Sequence, residues 1–89
     1  MKKGFVYILR GLKNNKLYIG STTEINRRVN QHEIGSVKAT RPLRPIKLEF
    51  FQEYDNINLA RKIEHKLKKF KRKDFLEKII KDGFIKMGP

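Results

Sequence analysis

FVYILRGLKNNKLYIGST, residues 5–22, holds two runs rich in β-branched and aromatic side chains, 5–11 and 17–22, on either side of Asn14-Asn15. Runs of this kind read as strands. Asparagine tolerates positive φ, so the pair between them suits a tight antiparallel hairpin. A two-residue loop pairs Lys13 with Lys16, Leu9 with Gly20 and Gly11 with Tyr18. Side chains alternate along a strand, so Tyr7 and Tyr18 then share one sheet face, and Val6, Ile8, Leu17 and Ile19 share the other. A three-residue bulged loop would break that parity.

Downstream of the hairpin, Ser21-Thr22-Thr23 offers N-cap residues for a helix over roughly 24–34. Ile25, Arg28, Val29 and His32 recur there at helical spacing, and Gly35 is a natural stop. Residues 36–45, with two prolines and three cations, read as an irregular loop. Ile46, Leu48 and Phe50 alternate and Tyr54 follows, which reads as a third strand over 46–54. Ala60, Ile63, Leu67 and Phe70 mark the buried stripe of a helix over roughly 57–70. Phe75, Leu76, Ile79 and Ile80 mark a shorter one ending near Gly83. The order ββαβαα predicts an α+β fold, a small three-stranded, mostly antiparallel sheet flanked by helices. No repeat or linker interrupts it, and 89 residues fit one domain spanning 1–89.

The formal net charge is +13, with 22 Lys and Arg against 9 Asp and Glu. Such a charge repels itself and favours a polyanionic partner, nucleic acid foremost. An anionic membrane surface would call for a basic helix with a broad apolar face. The longest apolar run, Phe5 to Leu9, is far too short to cross a bilayer. The N-terminal lysines precede a strand-like segment, not a signal-peptide h-region. There is no cysteine, which excludes disulfides and thiolate metal sites and suits a reducing cytoplasm.

Few residues offer chemistry. Arg28 and His32 lie four apart, on one flank of their helix beside its apolar stripe. Arginine clamps phosphate with forked donors, and histidine relays protons near neutral pH. The bland alternative is a surface cation and a satisfied boundary histidine. Glu64 is the sole acid between Arg61 and Lys73, at the edge of a buried stripe. In so basic a field it should stay ionised and could hold a hard cation such as Mg²⁺. The bland alternative is an ion pair with Lys68 one turn on. His65 points about 100° away around the helix. Two histidines without cysteine argue against a structural zinc site. Tyr7 and Tyr18 could be ordinary core aromatics, though their phenols need partners when buried.

Taken together these residues resemble the GIY-YIG nuclease family. Phe5-Val6-Tyr7 and Tyr18-Ile19-Gly20 look like its paired signature, with the tyrosine kept in the first triplet and the second intact. Arg28 follows Tyr18 by ten residues, His32 follows four later, and Glu64 lies on a later helix, as in the family. The stretch Gly35 to Pro45, with Lys38, Thr40, Arg41 and Pro45, resembles the loop of small stand-alone members. The likeness extends to the nuclease domain at the N-terminus of the incising component of the bacterial excinuclease, which brings DNA repair into view. Excision-repair relatives often carry a lysine where Ser21 stands; some members carry a late asparagine near the position of Leu76. Lys38 or Lys66 could supply a substitute cation.

The resemblance implies a metal-dependent endonuclease acting on DNA phosphodiester bonds. Glu64 would hold one Mg²⁺ or Mn²⁺, with Tyr7 as general base, its pKa lowered by metal and cations. Tyr18 or His32 would support proton transfer, and Arg28 would stabilise the phosphoryl oxygens. Lys38, Arg41, Arg44, Lys66 and Lys69 would hold the phosphate backbone, contacts that position without reading bases. Sequence preference should be weak and structure the basis of selection. Against this stand a non-cleaving DNA- or RNA-binding module and, more remotely, a basic docking domain for an acidic protein or membrane.

Overall fold

The computed structural model describes residues 2–70 and 72–86. Three antiparallel strands, β1 (Gly4–Gly11), β2 (Leu17–Thr22) and β3 (Ile46–Tyr54), form a sheet in the order β2-β1-β3. Helix α1 (Ile25–Glu33) follows β2, a 3₁₀ turn at Arg41–Leu43 precedes β3, and α2 (Ile57–Phe70) and α3 (Lys73–Asp82) complete the described order. This is the expected ββαβαα, α+β architecture. Among the described residues no helix is long and apolar enough to cross a membrane.

β1 is central and buried on both faces, which is why its run Val6 to Leu9 is continuously apolar or aromatic. One face packs Val6, Ile8, Ile19 and Phe50 against Ala60, Ile63 and Leu67 of α2 and Leu76 and Ile79 of α3. The other packs Tyr7, Leu9 and Ile46 under Ile25 and Val29 of α1 and Leu43 of the 3₁₀ turn. Arg10 ties the elements together at one end. It donates to Glu49 of β3 at 2.8 Å, to Glu77 of α3 at 2.9 Å and to Asn15 of the hairpin at 2.6 Å. The bond to Arg10 holds both carboxyls below the usual carboxylate range.

The hairpin closes two residues earlier than a two-residue loop would. Gly11 N–H donates to the Lys16 carbonyl at 2.8 Å, so Leu12 to Asn15 form the loop, with Asn15 at φ 63°. Leu9 therefore faces Tyr18, and Tyr7 faces Gly20. A shift of two keeps parity, so the expected faces stand. In β3 the single alternation does not persist. Ile8 pairs with Phe50 but Leu9 pairs with Leu48, leaving Glu49 as an extra residue. This bulge turns Ile46 and Leu48 to the α1 face while Phe50 stays on the other.

Helix ends depart from expectation in detail. Glu24 occupies the N-cap of α1 without a side-chain cap bond; Thr22 Oγ1 instead accepts from Glu24 N–H at 3.1 Å. Gly35, at φ 83°, lies just past α1, where a Cβ would also press on the Arg44 guanidinium. Phe70, expected in the α2 stripe, is half exposed because α2 ends there, and its ring rests on Phe75 at 5.0 Å.

Candidate active site

The site is built around the edge of β2. Tyr7 rises from β1 opposite Gly20, and a methyl group at position 20 would collide with its phenol. The absence of a side chain there lets the ring lie across β2. Tyr7 is 1 % exposed, and its hydroxyl stands 2.8 Å from His32 Nε2. Helix α1 brings His32 over the sheet from its last turn, with no solvent exposure. Tyr18 joins them, its ring 6.5 Å from that of Tyr7 and 5.3 Å from that of His32. On its far side His32 Nδ1 lies 2.7 Å from Oγ1 of Thr40, which is also fully buried.

Burial, with Arg28 nearby, lowers the His32 pKa to about 4, so the imidazole is neutral at neutral pH. Burial raises the Tyr7 phenol above its ordinary value. Arg28, one turn before His32, opposes that shift, while Tyr18 and Glu64 add to it. At this phenol desolvation outweighs the Arg28 guanidinium. Arg28 also donates to Gln31 Oε1 at 3.0 Å.

Glu64 comes from α2, on the opposite side of the sheet, and meets β2 at its free edge. Ser21 donates to Glu64 Oε1, and Lys68 Nζ lies 2.6 Å from Oε2. The same ammonium stands 5.8 Å from the centroid of Tyr18. The ion pair weighed as the bland alternative is therefore present, but it sits against Tyr18 and Ser21 instead of on a remote solvated face. Glu64 adjoins the tyrosine side through Lys68, whose ammonium lies over the Tyr18 ring, and that ring neighbours Tyr7 and His32. Beside it a depression of about 300 Å³ is lined by Ser21, Thr22, Arg27, Arg28, Gln31 and Arg61, among others.

The residues expected to bind nucleic acid divide. Lys38, Arg41 and Arg44 lie in the loop under which His32 is anchored; Arg41 Nε donates to the Gly35 carbonyl at 2.8 Å and Arg44 Nε to the Arg41 carbonyl at 3.2 Å. Lys66 and Lys69 lie on the outer face of α2, about 200° and 140° around the helix from Glu64. There they line a shallow groove with Arg61, Lys62 and His65. A cation next to Glu64 is Lys68. Leu76 is buried in the core, so no polar group stands at the late asparagine position.

Thr40 and Lys68 stand beside the site although neither was among the expected site residues. Lys68 carried a signal in its i, i+4 spacing from Glu64; Thr40, in an aperiodic loop, carried none beyond its place in the loop resemblance.

A divalent ion implied by this arrangement would have Glu64 as its protein ligand. Among the described residues no group of three or more His, Asp or Glu gathers to cage a metal. One carboxylate, a neighbouring hydroxyl and an open basic groove fit Mg²⁺, which keeps most of its shell as water and phosphate oxygen. The Lys68 ammonium already places a positive charge at the carboxylate, the charge such an ion would bring.

A hairpin bearing paired tyrosines, an arginine–histidine helix and a lone glutamate on a basic helix define a nuclease-type site. The GIY-YIG catalytic domain model matches residues 3–79, and the chain belongs to that family. It is 33 % identical over 86 residues to the UPF0213 protein YhbQ of Escherichia coli O127:H6, covering 96 % of this chain and 84 % of that one. It is 34 % identical over 80 residues to the UPF0213 protein SH2523 of Staphylococcus haemolyticus, covering 89 % and 96 %. It is 36 % identical over 69 residues to the UPF0213 protein HQ_3675A of Haloquadratum walsbyi, covering 76 % of each. No solved structure matches the chain significantly.

Proposed function

We propose that the chain is a divalent-metal-dependent endonuclease that hydrolyses DNA phosphodiester bonds, selecting by structure with weak sequence preference. The observation that carries this reading is the Tyr7–His32 pair beside Tyr18, with Glu64 bonded to Ser21 at the β2 edge and joined through Lys68 to the Tyr18 ring. Residues 1–89 would act as one nuclease domain, and the lack of cysteine suits the cytoplasm.

In this scheme Glu64 would hold Mg²⁺ or Mn²⁺, which would supply charge stabilisation for the phosphate and the leaving 3′ oxygen. Tyr7 receives a proton from the attacking water while passing its own hydroxyl proton to His32 Nε2, which is neutral and 2.8 Å away. The phosphorus–3′ oxygen bond breaks, and solvent protonates the departing alkoxide. Arg28 donates to phosphoryl oxygens as their charge grows. Tyr18 borders the pair and limits water around it. Phosphoryl transfer asks mainly for positioning and charge stabilisation, so a shallow site suffices.

Lys38, Arg41 and Arg44 on one side of the site, and Lys66 and Lys69 beyond it, supply the phosphate footprint. Glu64→Ala should retain DNA binding in a mobility shift while plasmid nicking in Mg²⁺ falls by roughly 1,000-fold. Nicking at the wild-type rate by that variant would overturn the scheme.

A further inference from the structure

The Thr40 hydroxyl stands behind the histidine, where the reacting groups do not reach. His32 is held from both ring nitrogens: Nε2 meets the Tyr7 hydroxyl at 2.8 Å and Nδ1 meets Thr40 Oγ1 at 2.7 Å. Tyr7, His32 and Thr40 are each at most 1 % exposed, so water does not arbitrate between them. A neutral imidazole carries one proton, and the two partners decide which nitrogen has it.

Both ends favour the same answer. Tyr7 is 1 % exposed, so its hydroxyl hydrogen needs an acceptor within the protein, and His32 Nε2 stands within bonding distance at 2.8 Å. At the other end, Thr40 Oγ1 has the Val37 carbonyl at 3.5 Å as an acceptor for its hydrogen, which leaves its lone pairs for a proton on Nδ1. We infer that Thr40 is a positioning residue that locks His32 with its proton on Nδ1, keeping Nε2 bare as the acceptor for the Tyr7 proton. The chain then runs Tyr7 O–H to Nε2, Nδ1–H to Thr40 Oγ1, and Thr40 O–H to the Val37 carbonyl. When Nε2 takes the proton, the imidazolium keeps Nδ1–H on Thr40, so no group reorients. The opposite tautomer would turn Nε2–H toward Tyr7 and give the phenol nowhere to send its hydrogen.

This inference rests on the proposed hydrolytic role for its consequence, but not for its geometry. The test separates them. ¹⁵N NMR of the folded full chain carrying His65→Gln, which leaves a single imidazole, reads the His32 tautomer without substrate. The expected spectrum at pH 7 shows a protonated Nδ1 and an unprotonated Nε2. Thr40→Val, similar in shape but lacking the hydroxyl, should move the population toward Nε2–H and lower kcat roughly 10- to 100-fold with little change in KM. Thr40→Ser should restore the spectrum and bring kcat within about threefold of wild type, which a merely structural role for the threonine would not require. A wild-type spectrum with the proton on Nε2 overturns the inference, whatever the variants do. An unchanged tautomer in folded Thr40→Val overturns it too. If wild-type chain shows the expected tautomer yet cuts no DNA, the lock stands and the nuclease reading is what fails.

Discussion

The two faces of the sheet are built on different principles. Under α2 and α3, Val6, Ile8, Phe50, Ile63 and Leu67 close the interior with apolar surface. Under α1, the interior includes a phenol, an imidazole and a hydroxyl linked end to end. Apolar burial is non-directional and contributes about 25 cal/mol per Å². Polar burial contributes little net free energy and is costly wherever a partner is missing. Its yield is geometry, since each bond fixes an orientation. The first face should therefore set stability and the second should set function.

The largest effect expected outside the catalytic groups is on the apolar face. Ile63→Ala should cost roughly 3 to 4 kcal/mol in urea unfolding, while DNA affinity per folded molecule is unchanged. A cost below about 1 kcal/mol would show that this face does not carry the stability. The next effect belongs to the other face and to pH. His32 is lowered to about 4 when folded, against about 6.5 when unfolded, so below 6.5 the unfolded chain binds the proton first and stability falls with pH. By pH 5 the loss from this group should reach about 2 kcal/mol, with the remainder lost as pH nears 4. This window lies mostly above the range where the depressed carboxyls Glu49 and Glu77 protonate. Urea unfolding at pH 7 and pH 5 measures it, and a His32→Gln chain should show the flatter profile. An equally steep profile in that variant would remove the buried histidine from the account. The smallest effect tests whether substrate reaches past the site to the outside of α2. Lys69→Ala should weaken DNA binding slightly and reduce the slope of log K against log salt by about 1, with stability within about 0.5 kcal/mol. An unchanged slope would confine the footprint to the loop side.

Much of this was legible in the amino-acid order because periodicity reports on burial. The hairpin, the three helices and the placement of both tyrosines on one face follow from alternation and helical spacing. The strand register did not, because Asn15 can adopt positive φ in more than one loop length, and only closure at Gly11 and Lys16 decides between them. The bulge at Glu49 was hidden since Ile46, Leu48 and Phe50 obey a single alternation that the paired strand breaks. The resemblance located Tyr7, Tyr18, Arg28, His32 and Glu64 by their spacing. The i, i+4 spacing offered the Glu64–Lys68 pair, but not its place against Tyr18 and Ser21, nor that Thr40 holds the back of the imidazole. Those depend on how α2 meets the edge of β2 and how the loop after α1 turns back over it, which a linear pattern does not encode.

The collision that a methyl at position 20 would make with the ring of Tyr7 has a consequence for how the signature is read. The tyrosine of the first triplet and the glycine of the second are two halves of one steric contact across a hairpin, not two separate motifs. A change at either half is constrained by the other. A side chain at residue 20 would have to be matched by a smaller residue at 7, and that residue would no longer carry the oxygen that faces His32. Correlated substitution is thus closed off at this pair, and the two triplets are bound to travel together.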